Sequence, residues 1–258
     1  MAYPKVVVSM SKRKIKGKMI KHERMKKIPS LYPHIPKTKW LTPSRALHML
    51  KSHSTIFLKP DNGSGGSGIL KIRNTSTHDY EIRQGETRKR VGQHTLYRTL
   101  KKYQKSPKKY IVQRGIHLGK YHGRVFDIRM YLQKPQSEWG ISGMVARIAP
   151  KHRYITNYHK GGQAATLDKV LLPLFEDNTE KVNDCIEKLR TISLTIADTL
   201  TKQFPDTREF GIDLAVDSNR RIWIIEANTR PQHNLFTKLS NKEMLYTIRH
   251  NKKLIKKG

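Results

Sequence analysis

Residues 125–134 alternate between apolar and polar side chains, and this two-residue period predicts a β-strand with one buried face. The clearest helical pattern spans residues 183–204, where apolar side chains recur every three or four positions until Pro205 ends the helix. Further strands are predicted at 55–59, 69–73, 110–113, 138–148, 153–157, 210–217 and 221–227, with a further hairpin within 74–90. Further helices are predicted at 43–52, 92–103 and 241–253. Strands and helices do not alternate regularly, so we predict an α+β fold.

The chain is strongly basic: 52 Lys and Arg residues against 20 Asp and Glu residues give a net charge of +32 over 258 residues. Such a charge favours a polyanionic partner, whether a nucleic acid, an acidic polymer or an anionic surface. The single cysteine, Cys185, excludes an intrachain disulfide, and we expect it in the core. No apolar run reaches the ~18 residues of a membrane span, so we expect a cytoplasmic protein.

Positive charge is concentrated near the N-terminus. Residues 1–60 carry 15 Lys and Arg residues but one acid, Glu23. We interpret residues 1–30 as a basic N-terminal arm, with a lysine-rich helix within 14–28. A solvated helix and a binding element for a polyanion both explain this arm, and both interpretations stay open.

Segment 59–68 places Lys59 directly before a loop of glycine and serine. Glycines permit left-handed backbone conformations, so that successive N–H groups can point at an anion, and the lysine adds a point charge for phosphate. The segment lacks the Gly-Lys-Ser/Thr of a Walker A loop. A flexible hairpin tip explains the same composition, so the loop by itself favours neither alternative.

Three oxygen donors occur in two neighbouring predicted strands: Asp213 in the first, and Glu226 and Asn228 in the second. Glu226 and Asn228 lie two residues apart, so they share a strand face with Cα atoms about 6.6 Å apart. Two carboxylates and an amide oxygen suit Mg²⁺, although a solvated face is the alternative. Asp217 fits a turn role better. Glu226 follows a run of four apolar residues, where an acid needs a partner or a metal.

Asp127 and Arg129 share one strand face, and Arg147 ends the next predicted strand. Such an arginine could hold a phosphate through a bidentate fork, but a cross-strand ladder of ion pairs is the simpler interpretation. Asn157, which precedes Gly161 and Gly162, could hold an acyl phosphate or belong to an ordinary loop. The 12 histidines show no metal-ligand spacing.

Together these motifs resemble those of ATP-grasp proteins, and they occur in the order found there. The resemblance covers residues 18–231. It is carried by Lys59-Pro-Asp-Asn-Gly-Ser-Gly-Gly-Ser-Gly-Ile, Val112-Gln-Arg-Gly-Ile116, Phe126-Asp-Ile-Arg129, Ala146-Arg147, Thr156-Asn157 with Gly161-Gly162, Gly211-Ile-Asp213 and Ile225-Glu-Ala-Asn228. The chain is most similar to the YheC/YheD group, which is associated with endospore coats, and is also similar to the ribosomal-protein glutamate ligases.

The resemblance implies an ATP-grasp fold in which two α+β subdomains clasp ATP. Only the basic arm of residues 1–30 precedes them, so we expect little or no N-terminal domain. It assigns residues 31–258 to the ATP-grasp domain, with a lid subdomain at about 55–112 and a core subdomain at about 113–258. Ligases of this superfamily usually carry a further α/β domain of about a hundred residues before the lid, a typical domain size. The departure from that pattern leaves substrate recognition open.

The resemblance also implies roles for individual residues. Those implied to bind ATP are Lys18, Lys59, Gly63, Ser64, Gly65, Gly66, Ser67, Gln113, Arg114 and Ile116. Those implied to bind Mg²⁺ are Asp213, Glu226 and Asn228. Those implied to contact the transferred phosphoryl group or an acyl phosphate are Arg129, Arg147 and Asn157. Residues 117–120, after the implied hinge, contain no acid for the ribose, which departs from the family pattern.

The implied activity is ATP-dependent ligation of a carboxylate to an amine through an acyl phosphate. Its implied cofactors are ATP and Mg²⁺. The basic charge of the chain favours an acidic peptide or polymer as the substrate. The expected location is the cytoplasm or the spore. Two alternatives stay open: a basic protein that binds a polyanion or the coat and has a non-catalytic nucleotide site, and an ATP-grasp kinase. Charge alone permits nucleic-acid binding, but we find no module for it. The acid, the amine and the oligomeric state stay open.

Overall fold

Two antiparallel sheets organise the computed structural model, which describes residues 17–63, 65–76, 78–151 and 162–257. The first sheet contains β1 (Thr38–Trp40), β2 (Thr55–Pro60), β3 (Leu70–Asn74), β4 (Asp79–Gln84), β5 (Thr87–Gly92) and β6 (Tyr110–Arg114). Its strand order is β1-β6-β2-β3-β4-β5. Strand β5 is therefore an edge, and β6 is inserted between strands that precede it in the chain.

Helices α2 (Pro43–Ser52) and α3 (Gln93–Gln104) cover one face of the first sheet. Thr42 caps α2 as its sequence predicts, because its side-chain oxygen accepts a hydrogen bond from the backbone N–H of Arg45 at 3.2 Å. The small core beneath the helices includes Met49, Leu50, Ile56, Leu58, Leu70, Ile72, Leu96 and Leu100. The opposite face of the sheet lines a cleft.

The second sheet contains β7 (Lys120–Tyr121), β8 (Arg124–Gln133), β9 (Gly140–Ile148), β10 (Gln163–Ala165), β11 (Glu209–Val216) and β12 (Ile222–Asn228). Its main path runs β10-β9-β8-β11-β12, and β7 pairs with β8. The predicted alternation in β8 is confirmed, since Phe126 and Ile128 lie in the core whereas Arg129 faces the cleft.

The remaining helices are α1 (Lys18–Met25), α4 (Leu167–Leu174), α5 (Thr179–Thr201) and α6 (Glu243–Lys257). Short 3₁₀ helices occupy Tyr32–His34 and Asn234–Lys238. Apolar residues of α1, α4 and α5 join the main core over the second sheet, while α6 packs against β9 in a separate cluster. With antiparallel sheets and helices in separate layers, the predicted α+β fold class is confirmed.

Three differences from the sequence prediction have local causes. Helix α5 begins at Thr179 rather than at 183, because the side chain of Asn178 caps it. Helix α4 was not predicted, since it spans eight residues and contains Pro173. Strands β1, β7 and β10 were also missed, because two or three residues are too few to show a period. The strand predicted at 153–157 lies outside the described residues.

Cys185 lies in the core, as predicted, and burial raises the pKa of its thiol to about 11. A buried thiol of this kind is protonated at neutral pH and packs as a small apolar side chain. None of the helices in the described part of the chain combines the length and the apolar character needed to cross a bilayer.

Candidate functional site

A cleft of about 1950 Å³ is lined by residues of both sheets. All site residues predicted from the sequence line it except Ser64, Ser67 and Asn157. Ser67 is exposed outside the cleft, whereas Ser64 and Asn157, together with Gly161, lie outside the described residues. The predicted residues that the structure brings together are Lys18, Lys59, Gly63, Gly65, Gly66, Gln113, Arg114, Ile116, Arg129, Arg147, Asp213, Glu226 and Asn228.

A chain of hydrogen bonds fixes Lys59 on the first sheet. Its Nζ donates to Oε1 of Gln113 at 2.6 Å, and Nε2 of Gln113 donates to Oγ1 of Thr38 at 2.9 Å. Thr38 donates in turn to the carbonyl oxygen of Pro36 at 2.8 Å. Burial lowers the pKa of Lys59 to about 8 against the opposing effect of Glu226. A phosphate group in the cleft would supply the anion that favours the charged form.

Replacing Lys59 with methionine is expected to change how the stability of the ligand-free protein depends on pH. The folded pKa of about 8 lies below the ordinary 10.5, so between these values the unfolded chain binds more protons. Wild-type stability should therefore rise over this window, by at most about 3 kcal/mol. Chemical denaturation from pH 7 to 10.5 should show the rise in wild type and in the exposed-lysine control Lys108→Met. An equal rise in the Lys59 variant would contradict the assignment.

Two arginines and two aspartates form a buried cluster on β8, β9 and β11. The strand register pairs Asp127 with Arg147 and Arg129 with Asp213. Arg147 donates to the two oxygens of Asp127 at 2.6 and 2.7 Å, and its Nη2 also lies 3.0 Å from Oδ2 of Asp213. Arg129 donates from Nε and Nη2 to both oxygens of Asp213. The cross-strand ladder of ion pairs is therefore present.

Mutual attraction keeps this cluster charged. Burial alone would raise the pKa of Asp213, but Arg129 and Arg147 lower it overall. Burial alone would likewise lower the pKa of Arg147, but Asp127 and Asp213 raise it overall. Both guanidinium groups belong to residues that line the cleft, so the cluster holds two cations in fixed positions there. Contact between these arginines and a phosphoryl group stays a prediction.

Asp213, Glu226 and Asn228 are neighbours on one face of the second sheet. Asp213 lies directly opposite Glu226 across β11 and β12, and Nδ2 of Asn228 lies 3.5 Å from Oδ2 of Asp213. The described residues hold no group of three His, Cys, Asp or Glu side chains suited to a metal. The third donor at this site is an amide, which such a group does not include. The donor chemistry nevertheless fits Mg²⁺, which takes few protein oxygens.

The carboxylates of Asp213 and Glu226 differ in how far arginine or lysine partners already occupy their oxygens. Both oxygens of Asp213 are already held by Arg129, and one is shared with Arg147. Glu226 is 23% exposed at the cleft, and its ion pair is with Nζ of Lys18 at 3.2 Å. The pairing with Lys18 meets the expectation that this acid needs a partner. Glu226 and Asn228 therefore fit a divalent ion better than Asp213 does.

Helix α1 closes one side of the cleft. The backbone N–H groups of Lys18 and Met19 donate to the carbonyl oxygen and Oδ1 of Asp61, at 3.0 and 2.8 Å. Nζ of Lys18 also donates to the carbonyl oxygen of Gly63 at 2.9 Å, and Lys21 donates to a carbonyl oxygen of β12. Sequence reasoning missed Lys21, although its three-residue spacing from Lys18 on a helix was an available signal.

The turn after β11 supports the end of β6. Oδ1 of Asp217 accepts hydrogen bonds from two backbone N–H groups of this turn, at 2.9 and 3.0 Å, and Oδ2 accepts one from Nε1 of Trp223 at 2.7 Å. The predicted turn role of Asp217 is confirmed. The Trp223 ring lies 5.0 Å from the guanidinium of Arg114, which favours a fixed cation at this edge of the cleft.

A family model described as YheC/D like ATP-grasp matches residues 8–253. The chain belongs to the YheC/D-like ATP-grasp family. The resemblance drawn from the sequence motifs is therefore confirmed, and the fold is an α+β ATP-grasp fold.

Two curated relatives of this YheC/D-like chain come from Bacillus subtilis (strain 168). It is 27% identical to the endospore coat-associated protein YheD over 229 residues, which are 84% of this chain and 48% of YheD. It is 26% identical to the endospore coat-associated protein YheC over 223 residues, which are 83% of this chain and 60% of YheC. The chain thus spans about half to three-fifths of the length of these relatives.

An enzyme of known structure shares the fold. It is N5-carboxyaminoimidazole synthase from Aspergillus clavatus, solved in complex with ADP and 5-aminoimidazole ribonucleotide. The match has a TM-score of 0.51 and 12% identity, and covers 86% of this chain and 46% of that chain. At this identity the similarity establishes the ATP-grasp fold and not the substrates.

Proposed function

We propose that this chain binds Mg-ATP and uses it to activate a carboxylate, as an acyl phosphate, for ligation to an amine. The observation that carries the proposal is that one cleft is lined by Lys59, Arg129 and Arg147 together with Glu226 and Asn228. Cations for a triphosphate and oxygen donors for a divalent ion thus face the same space. The ATP-grasp fold, and the ADP in the Aspergillus clavatus enzyme, support nucleotide binding.

Different residues of the cleft would bind different parts of Mg-ATP. Lys59 would bind the phosphates, and the backbone of Gly63, Gly65 and Gly66 would close over them. The three glycines all have positive φ angles, of 154°, 66° and 72°, which are backbone conformations that glycine adopts readily. Gln113, Arg114 and Ile116 would meet the adenine. Mg²⁺, held by Glu226 and Asn228 beside Asp213, would supply positive charge for the phosphates.

The two proposed steps need positioning and charge rather than a protein nucleophile. A substrate carboxylate oxygen bonds to the γ-phosphorus, the bond from that phosphorus to the bridging oxygen breaks, and ADP leaves. An amine nitrogen then bonds to the acyl carbon, the carbon–oxygen bond to phosphate breaks, and the amine loses a proton to solvent. Arg129 and Arg147 would stabilise the negative charge, because their aspartate partners already fix their orientation.

A non-catalytic nucleotide site in a basic coat-binding or polyanion-binding protein is the second candidate. Two observations favour it: both oxygens of Asp213 are held by arginine, and the curated relatives are named as endospore coat-associated proteins. The net charge of +32 suits an acidic partner under either function.

Thermal unfolding with ATP tests the shared part of both functions. We expect the melting temperature to rise with ATP and Mg²⁺ but not with ATP and a chelator. At a free ligand concentration 100 times Kd the stabilisation should be about 2.7 kcal/mol. The absence of any nucleotide-dependent shift would overturn both candidates.

ADP release then separates the two candidates. Acidic peptides and free amino acids would be screened in pairs with amines, including hydroxylamine, which traps an acyl phosphate as a hydroxamate. We expect ADP release that requires both the acid and the amine. With hydroxylamine as the amine, we expect hydroxamate in an amount equal to the ADP released. A magnesium-dependent thermal shift without ADP release across the screen would favour the binding protein over the ligase.

A further inference from the structure

The cleft-side face of the first sheet carries rows of cations that the proposed site does not use. Lys71 on β3 lies directly opposite Arg83 on β4, and Arg83 lies directly opposite Arg88 on β5. The next row places Arg73 and Arg90 on either side of Glu81. We call these six residues the cationic face. Lys71 and Arg73 line the cleft, so the face begins there and runs outward across three strands.

Opposed cations of this kind are unfavourable in the free protein, because like charges directly opposite each other destabilise a sheet. The single carboxylate among the six, Glu81, is buried and already pairs with Arg73 and Arg88. Asp79, one row further, lies at the start of β4 and accepts a hydrogen bond from Ser76. Burial lowers the pKa of Lys71, and Arg83 and Arg73 lower it further against the opposing effect of Glu81. An anionic ligand would relieve this crowding.

Protection of a sheet edge does not explain the arrangement. Charged residues on an edge strand hinder edge-to-edge pairing, which accounts for Arg88 and Arg90 on β5. Lys71 and Arg73 lie on β3 and Arg83 on β4, and both strands are paired on both sides. The cations therefore follow the face of the sheet and not its edge.

We propose that the cationic face binds an acidic peptide segment, whose chain continues into the cleft. The inference rests on the proposed function, since it is a carboxylate that the cleft would activate. Neighbouring strands lie about 4.8 Å apart, so the row from Lys71 to Arg88 spans about 10 Å, which three residues of an extended peptide cover. A peptide rich in Glu or Asp would carry both the reacting carboxylate and the charges that match the face.

A nucleic acid fits this surface less well. Single strands are bound by aromatic side chains that stack on the bases, together with cations for the backbone. The cleft-side positions of β3, β4 and β5 contain no aromatic residue, since Tyr80 lies on the opposite face in the core. The aromatic residue beside the face is Phe57 on β2, which lies opposite Lys71 at the cleft. The three strands of the cationic face itself thus offer charge without stacking, as a chain of carboxylates requires.

The double variant Lys71→Gln/Arg83→Gln tests the proposal against the matched control Arg98→Gln/Lys102→Gln. The control removes the same charge from exposed positions of α3, the helix packed against the opposite sheet face. Fluorescence anisotropy would follow a labelled decaglutamate, without nucleotide, at low and at physiological ionic strength. We expect the cationic-face variant to lose about tenfold in affinity and the control less than about threefold. Equal losses would show a general effect of net charge and overturn the proposal.

An oligothymidylate of equal charge, labelled in the same way, tests the choice of partner. Tighter binding of the oligothymidylate than of decaglutamate, with the same sensitivity to the double variant, would overturn the assignment to an acidic peptide. Weaker binding of the oligothymidylate is the expected result.

The stability of the variants supplies a second readout. We expect the melting temperature of Lys71→Gln/Arg83→Gln to match that of the Arg98→Gln/Lys102→Gln control, while its peptide affinity falls further. A residue with only a structural role would lower both. If the double variant fails to fold, the single variant Lys71→Gln should lose about threefold in peptide affinity, and an unchanged affinity in that variant would overturn the proposal.

Mg-ATP binding, measured by thermal shift on the same proteins, separates this proposal from the proposed function. Wild type that binds decaglutamate through the cationic face but shows no Mg-ATP shift would refute the proposed function alone. Wild type with a Mg-ATP shift and peptide binding that ignores the double variant would refute the cationic face alone.

Discussion

Replacing Glu226 with glutamine is expected to abolish the magnesium-dependent part of ATP binding and to lower ATP turnover by at least about 100-fold. Glutamine preserves the size of the side chain but removes the negative charge, which a hard cation requires. The pairing of Glu226 with Lys18 at 3.2 Å is lost as well. Thermal shifts with ATP, in magnesium and in chelator, would measure binding, and ADP release would measure turnover.

The matched control for this variant is Glu187→Gln. Glu187 is an exposed acid on α5 whose partner is Arg190 at 3.5 Å, three residues along the same helix. Such a surface pair contributes little to stability, so the control should keep the wild-type shift and turnover. ATP hydrolysis or ligation at wild-type rates in Glu226→Gln would remove Glu226 from the metal site.

Periodicity gave much of the fold, because it reports directly which face of an element is buried. The alternation at 125–134 predicted β8, and the apolar spacing at 183–204 predicted most of α5. Thr42 before Pro43 located the start of α2 because capping is a local hydrogen bond. Elements of two or three residues, such as β7 and β10, carry no period and could not be predicted in this way.

The direction of the Glu226 side chain is a feature that strand periodicity predicts wrongly. Glu226 has the same parity in β12 as Ile222 and Ile224, so strict alternation would place all three on the core face. The structure has a β-bulge at this point: Leu214 pairs with Ile224, and Asp213 pairs with Glu226. One extra residue in β12 thus turns Glu226 to the cleft, a device common near functional sites. Nothing in the sequence marks the bulge.

The order of the strands in each sheet could also not be predicted from the sequence patterns. Strand β8 lies beside β11 although about eighty residues separate them, and this pairing brings Arg129 onto Asp213. The cationic face likewise depends on the register that sets Lys71 opposite Arg83. The sequence shows the charged residues, but only the pairing of the strands shows which of them lie opposite each other.

Replacing Asp213 with asparagine is expected to destabilise the protein by roughly 3–5 kcal/mol, because it leaves a buried guanidinium without its carboxylate. Arg129 loses both of its ion-pair contacts to Asp213, whereas Arg147 retains Asp127. Denaturant unfolding would measure the loss. Asp198→Asn, at an exposed position of α5, is the control and should change stability by less than about 0.5 kcal/mol.

Two further measurements assign this loss to the ion pairs rather than to packing. Removing the orphaned cation with Arg129→Met in the Asp213→Asn background should restore part of the stability, since the two residues are coupled.

The pH dependence of stability has a defined sign, because the arginines lower the pKa of Asp213 in the folded protein. The stabilisation by Asp213 is therefore present above an ordinary pKa of about 4 and is lost as pH falls through the lower folded value. Asp213→Asn should lack this acid-sensitive contribution. Equal acid sensitivity in variant and wild type, with no recovery by Arg129→Met, would mean that the carboxylate contributes by shape alone.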